Sequence, residues 1–148
     1  MNSANPIVVA LDSNIVIGLL NADDTTHHKA KLIYNSLTTS NVQQVIFDIV
    51  VTEAISVIGR RLEEKKRVSE FEQFVNQLFV FAPKNDLEWL TPRIPMLYDD
   101  CFALMRQTSG RLNFNDALIA LGCRELGISH IISFDADFDE VSWLTRLK

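Results

Sequence analysis

The chain has 148 residues, 47% of them apolar and 22% charged, with a formal net charge of −5, which is the profile of one ordinary globular domain spanning residues 1–148. No apolar run approaches the ~20 residues of a membrane span, and MNSANP at the N-terminus lacks the positive segment and apolar core of a signal peptide. Two cysteines, Cys101 and Cys123, are too few for a disulfide scaffold, so a reduced, cytoplasmic setting is expected, while the acidic balance argues against a binder that holds nucleic acid by bulk positive field.

In chain order, IVVAL (7–11) reads as a short, fully buried strand that runs into Asp12, and a helix-like apolar pattern follows at once to Asn21. THHKAKLIYNSL is a second helix, capped by Thr25 or Thr26, with Ala30, Ile33, Tyr34 and Leu37 on one face. VQQVIF (42–47) is a second strand, shading into a long helix through VTEAISVIGRRLEEKKR. FEQFVNQLFVF continues as helix and is expected to end in a third strand just before Pro83. Pro92 and Pro95 interrupt the next segment, so a helix resumes near Met96 and runs to about Gln107. After the loop SGRLN, FNDALIALGCREL is a helix with Gly127 as its C-terminal stop. HIISF is the last clear strand, followed by the acidic turn DADFDE. Strands alternating with helices imply crossover units and a mainly parallel central sheet covered on both faces, an α/β, three-layer α/β/α sandwich.

In open parallel sheets, ligand sites form beyond the C-terminal strand ends. Two strands here end in aspartate, IVVAL at Asp12 and HIISF at Asp135. Each aspartate alone would serve as a helix cap or turn residue. Glu53 borders the apolar face formed by Val50, Ala54, Val57 and Ile58, and would pair with Arg60 or Arg61 if it were structural. Asp116 has Ile119 and Ala120 as helical neighbours and would stabilise its helix N-terminus. Four carboxylates at one sheet edge would repel by roughly 3–4 kcal/mol per close pair at an effective dielectric near 20. No lysine or arginine lies within three residues of Asp12 or Asp116 to offset this. A divalent cation would, and an all-oxygen donor set favours Mg²⁺ or Mn²⁺ over zinc.

The segments ALDSNIVIGLL, TEAISVIGRR and FNDALIALGCRELGISHIISFDADF together resemble the PIN-domain ribonucleases, particularly the VapC-type toxins of toxin–antitoxin pairs. They stand in family order at family-like spacings across essentially the whole chain, which would then be one PIN-like nuclease domain. The resemblance implies that Asp12, Glu53, Asp116 and Asp135 are the catalytic carboxylates, with Asp12, Asp116 and Asp135 holding metal and Asp137 in reserve. It implies too that Ser13, Asn14 and Ser133 orient them, Ser133 standing where threonine is frequent. It further implies Mg²⁺- or Mn²⁺-dependent hydrolysis of RNA leaving a 3′-hydroxyl and a 5′-phosphate, a cognate antitoxin protein and a homodimer. The basic run Arg60, Arg61, Lys65, Lys66 and Arg67 would track the RNA backbone, or form a solvated helix end interleaved with Glu63 and Glu64. Other readings are a metal-dependent phosphohydrolase or nuclease acting on DNA or structured RNA, and a non-catalytic module that keeps the fold for partner binding. A D-x-D phosphatase motif is not met, because the residues after the first strand are Asp12-Ser13-Asn14.

Overall fold

The computed structural model describes residues 5–148; of the N-terminal segment read above as lacking a signal peptide, residues 1–4 lie outside it. Four strands, β1 (Ile7–Leu11), β2 (Val42–Val45), β3 (His130–Ile132) and β4 (Thr145–Leu147), form one sheet of order β2-β1-β3-β4. Every pairing is parallel. Six helices surround it: α1 (Ser13–Leu20), α2 (His27–Thr38), α3 (Asp48–Glu64), α4 (Phe71–Phe81), α5 (Ile94–Gln107) and α6 (Phe114–Glu125). No helix among the described residues is long and apolar enough to cross a membrane.

The strand pleat sorts the core into two layers. Val9, Leu11 and Ile132 point to one side, where they meet Ile15 and the α2 residues Ile33, Tyr34 and Leu37. Ala10 and Ile131 point to the other, into a larger cluster built from α3, α4, α5 and α6. Because both faces are covered, the central strand β1 (IVVAL) carries an unbroken apolar run instead of alternation, and β3 ends in two buried isoleucines. Helix α6 is buried along Asp116–Cys123, so it crosses the interior as the central helix of its layer. A Cβ on Gly122 would stand 2.7 Å from Leu90 Cδ2, and glycine there lets α6 approach the Leu90 side chain closely.

Strand β3 ends at Ile132, so Ser133 and not Asp135 stands at its end, and two further expectations need correction. No strand precedes Pro83: α4 remains helical to Phe81, because Phe74, Leu78 and Ala82 recur every four residues and are all buried. Helix α3 begins at Asp48 and ends at Glu64, not at Arg67. Lys66 closes it in the left-handed region at φ 56°, and the Arg67 N–H donates to the Leu62 carbonyl at 2.8 Å. Strand β4 gave no recognisable signal, being three residues with an arginine at the centre. By contrast Gly127 does stop α6, at φ 68°, with the Ile128 N–H donating to the Cys123 carbonyl.

Candidate active site

Strands β1 and β3 are neighbours, with Leu11 opposite Ile132. Asp12 and Ser133 therefore emerge side by side at the C-terminal edge of the sheet, and the Asp12 N–H donates to the Ile132 carbonyl at 3.0 Å. Asp12 caps α1, its Oδ1 accepting from the Ser13 N–H at 2.7 Å. Its Oδ2 accepts from Ser133 Oγ at 2.6 Å and from Asn14 Nδ2 at 3.2 Å. Asn14 Nδ2 also reaches Ser133 Oγ, and Asn14 Oδ1 accepts from the Phe134 N–H. Asn14 and Ser133 thus orient the Asp12 carboxylate. Ser13 does so through its backbone N–H.

The other three carboxylates approach from separate elements. Asp116 sits at the start of α6 in a reciprocal cap: its N–H donates to Asn113 Oδ1 at 2.8 Å, and its Oδ2 accepts from the Asn113 N–H. Asp135 caps the short 3₁₀ turn Ala136–Glu140, with Oδ1 accepting from the Asp137 N–H at 2.9 Å. Its own N–H donates to Ser133 Oγ. Glu53 projects from α3, which packs against α1. The bland roles anticipated for Asp12, Asp116 and Asp135 are therefore real. Each spends one oxygen on a local cap, and Asp116 and Asp135 are aimed by theirs.

Glu53 is the exception. Its Oε2 is buried and has no hydrogen-bond partner. The pairing with Arg60 or Arg61 that would make it structural does not form: Arg61 reaches Asp24 instead, at 2.5 Å. A buried carboxylate oxygen left unpartnered is costly, and such groups concentrate where a ligand belongs.

The four carboxylates act on one another. Burial pushes the Asp12 carboxyl up to about 6, against the lowering effect of its Ser133 and Ser13 bonds, with added repulsion from Glu53 and Asp135. Burial pushes Asp116 up to about 7, again with repulsion from Asp12, Glu53 and Asp135. Perturbed carboxyls clustered at a strand edge make this a candidate functional site. Even so, among the described residues no group of three or more His, Cys, Asp or Glu side chains stands arranged to hold a metal ion as placed.

Of the remaining candidates, Asp137 is half-buried beside Asp135. The basic run does not present five unpaired cations. Arg61 is engaged by Asp24, and Arg67 by Glu70 and Asp23, while Arg60, Lys65 and Lys66 lie toward solvent. Two contributors escaped sequence reasoning. Asn113 had a usable signal, the N-x-x-D spacing of a capping box. Arg146 had none, since only the fold brings β4 alongside β3 and its Nη1 to the Ser133 carbonyl at 3.1 Å.

The fold is shared with proteins of known structure. In overall structure the chain is similar to VapC20 of Mycobacterium tuberculosis, a toxin that cleaves the sarcin–ricin loop. The TM-score is 0.69 and the identity 20%, over 90% of this chain and 95% of that one. It is also similar to VapBC2 of Rickettsia felis, solved bound to a DNA fragment from its promoter, at TM-score 0.61 and 14% identity over 95% and 98% of the chains. No curated protein matches the sequence. The PIN domain matches residues 9–144, which take in most of β1, all of β2 and β3 and all six helices but stop short of β4, and the chain belongs to the PIN-domain family.

Proposed function

We propose that this protein is a divalent-metal-dependent endoribonuclease and the toxin of a toxin–antitoxin pair. The observation that carries the reading is the buried, unpartnered Glu53 Oε2 facing a group of mutually repelling carboxylates on the C-terminal edge of a parallel sheet. Membership of the PIN family and likeness to VapC20 support it.

The donor set fits a hard cation. It is all oxygen, strongly negative, and holds one buried oxygen that no group among the described residues satisfies. Asp12 and Asp116 would be the principal ligands of Mg²⁺ or Mn²⁺, with Asp135, Glu53 and in reserve Asp137 completing the shell directly or through water. Such an ion, when bound, lowers the pKa of a coordinated water and stabilises charge on phosphate oxygens. The chain's own residues do the rest. Asp12 is fixed by three donors and so is pre-aligned without reorganisation. Glu53, whose Oε2 is already unpartnered, accepts the proton of the attacking water. Water oxygen would bond to phosphorus, the bond to the 3′-oxygen would break, and that oxygen would leave with the bonding pair and take a proton from solvent, giving a 3′-hydroxyl and a 5′-phosphate. Arg60, Lys65 and Lys66 supply backbone contacts that the acidic body of the protein lacks. Arg61 and Arg67 join them only by exchanging their present acidic partners.

The protein is expected to work in the cytoplasm as a homodimer restrained by a cognate antitoxin, as the likeness to a VapBC complex supports. The test is cleavage of labelled RNAs, with DNA alongside, in Mg²⁺, Mn²⁺ or EDTA, for the parent and Asp12→Asn. Cleavage that needs both metal and Asp12 establishes the nuclease. A metal-binding protein that cuts nothing while retaining a protein partner would mark a non-catalytic module.

A further inference from the structure

Among the ion-paired arginines, Arg146 has the least exposed side chain. Only 6% of that side chain is exposed, although it lies on the edge strand β4. Its guanidinium makes three hydrogen bonds in two directions. Nη1 donates to the Ser133 carbonyl at 3.1 Å, while Nε and Nη2 form a fork on Asp139 Oδ1 and Oδ2, both at 2.9 Å. Ser133 and Asp139 bracket the segment that carries Asp135 and Asp137. Within it, Ser133 Oγ bonds Asp12 Oδ2 and accepts from the Asp135 N–H, and Asp135 Oδ1 accepts from the Asp137 N–H. The β4 backbone adds one more tie, the Ser133 N–H donating to the Leu147 carbonyl at 3.2 Å.

We propose that Arg146 is a positioning residue of the active site: by clamping the Ser133 carbonyl and the Asp139 carboxylate together, it holds the loop that presents Asp135 and the Ser133 hydroxyl to Asp12. The inference rests on the nuclease reading above. A merely structural arginine at a sheet edge would be satisfied by a single surface carboxylate; this one spends its third bond on the carbonyl of the residue that orients Asp12. The Asp139 fork, and after it the charge of Asp135, favour the charged guanidinium. A planar fork with a third donor is geometry that lysine cannot copy.

The experiment compares the parent, Arg146→Gln, Arg146→Lys and Asp139→Asn. Mn²⁺ binding to the EDTA-treated protein is measured by calorimetry, and RNA cleavage kinetics are measured alongside. Both are run at a temperature where circular dichroism shows each variant folded. Arg146→Gln is expected to weaken Mn²⁺ binding and lower kcat by about 10- to 100-fold while the KM for RNA changes by less than about 2-fold, as for other residues that orient metal ligands. Arg146→Lys recovers part of the loss. Asp139→Asn, which loosens the fork yet keeps the Ser133 contact, falls between parent and Arg146→Gln, and carries the test if Arg146→Gln does not fold. Parent-like Mn²⁺ affinity and kcat in Arg146→Gln, with only the melting temperature reduced, overturns the proposal and leaves the nuclease reading standing. A parent that neither binds Mn²⁺ nor cleaves RNA refutes the nuclease reading and this proposal with it.

Discussion

The buried carboxylates make the metal-free protein less stable as pH rises, and Asp12→Asn isolates that effect. The Asp12 carboxyl is pushed from an ordinary 3.8 to about 6. The folded state thus binds this proton more tightly than the unfolded chain, so the stabilisation is complete below about pH 4 and is lost as pH climbs through 6. The full shift corresponds to about 3 kcal/mol. About 1.4 kcal/mol of it is lost between pH 5 and pH 8, since at pH 5 the buried carboxyl is still about nine-tenths protonated. Asparagine does not titrate, so the variant lacks this slope. It carries a separate, pH-independent penalty of about 1–2 kcal/mol, because an amide nitrogen placed at Oδ2 would face the Ser133 and Asn14 donors. The parent is therefore the more stable at pH 5 and the gap narrows toward pH 8. Asp116 shifts in the same direction in both proteins, and removing the Asp12 charge relaxes it, which widens the difference in slope. Urea unfolding in EDTA, followed by tryptophan fluorescence from pH 5 to 8, reads both curves. Mg²⁺ at about 100 times its dissociation constant should then restore about 2.7 kcal/mol to the parent at pH 8 and far less to the variant. Parallel curves across that range would refute the claim that Asp12 is held as a desolvated, repelled carboxylate.

Glu53→Gln should leave the melting temperature equal to or above that of the parent, because it keeps the shape but removes the charge from a buried, unpartnered group and with it a repulsion felt by Asp12 and Asp116; a calorimetric scan with a cleavage assay should show a fold retained and RNA cleavage lost by at least about 100-fold. Ser133→Ala removes a 2.6 Å donor from Asp12 and the acceptor of the Asp135 N–H, so it should cost about 1–3 kcal/mol in denaturant and move the pH midpoint of cleavage upward. Gly122→Ala would drive a methyl into the buried Leu90 side chain, and a loss of about 1–3 kcal/mol is expected with catalysis per folded molecule unchanged. An unaltered melting temperature would show that Leu90 can yield. Lys66→Gly should raise stability by about 1 kcal/mol, as the residue stands at φ 56°; a loss of RNA affinity in the same variant would mark its ammonium as a substrate contact.

The fold was legible where one physical rule governed a segment. Strand β1, helix α6 and strand β3 each carry a continuous apolar pattern with a clear terminator, and the alternation of strand and helix leads directly to a parallel sheet. The misreadings fall where rules compete. LFVF before Pro83 has strand propensity, but the four-residue recurrence of Phe74, Leu78 and Ala82 places it on a buried helix face, and tertiary packing overrides propensity. Three residues containing arginine cannot announce β4, which exists because β3 offers it a parallel edge. At the site, sequence spacing could nominate Asp12, Glu53, Asp116 and Asp135 but not their neighbourhood, which depends on β1 lying beside β3. The division of oxygens between caps and site, the missing partner of Glu53 and the reach of Arg146 are properties of packing alone.

The adjacency of β1 and β3 has a kinetic side. The bond from Ser133 to Asp12 closes 121 residues of chain, and Glu53 and Asp116 join from within that span. Pairings of such long sequence separation form late, after shorter loops have been closed. No fragment or early folding intermediate can therefore assemble the four carboxylates. Only β4 lies at the edge of the sheet on this side, and its loss would withdraw Arg146 and the Leu147 carbonyl from Ser133 together. In a chain built in this way the four carboxylates come together only when the β1–β3 pairing is complete.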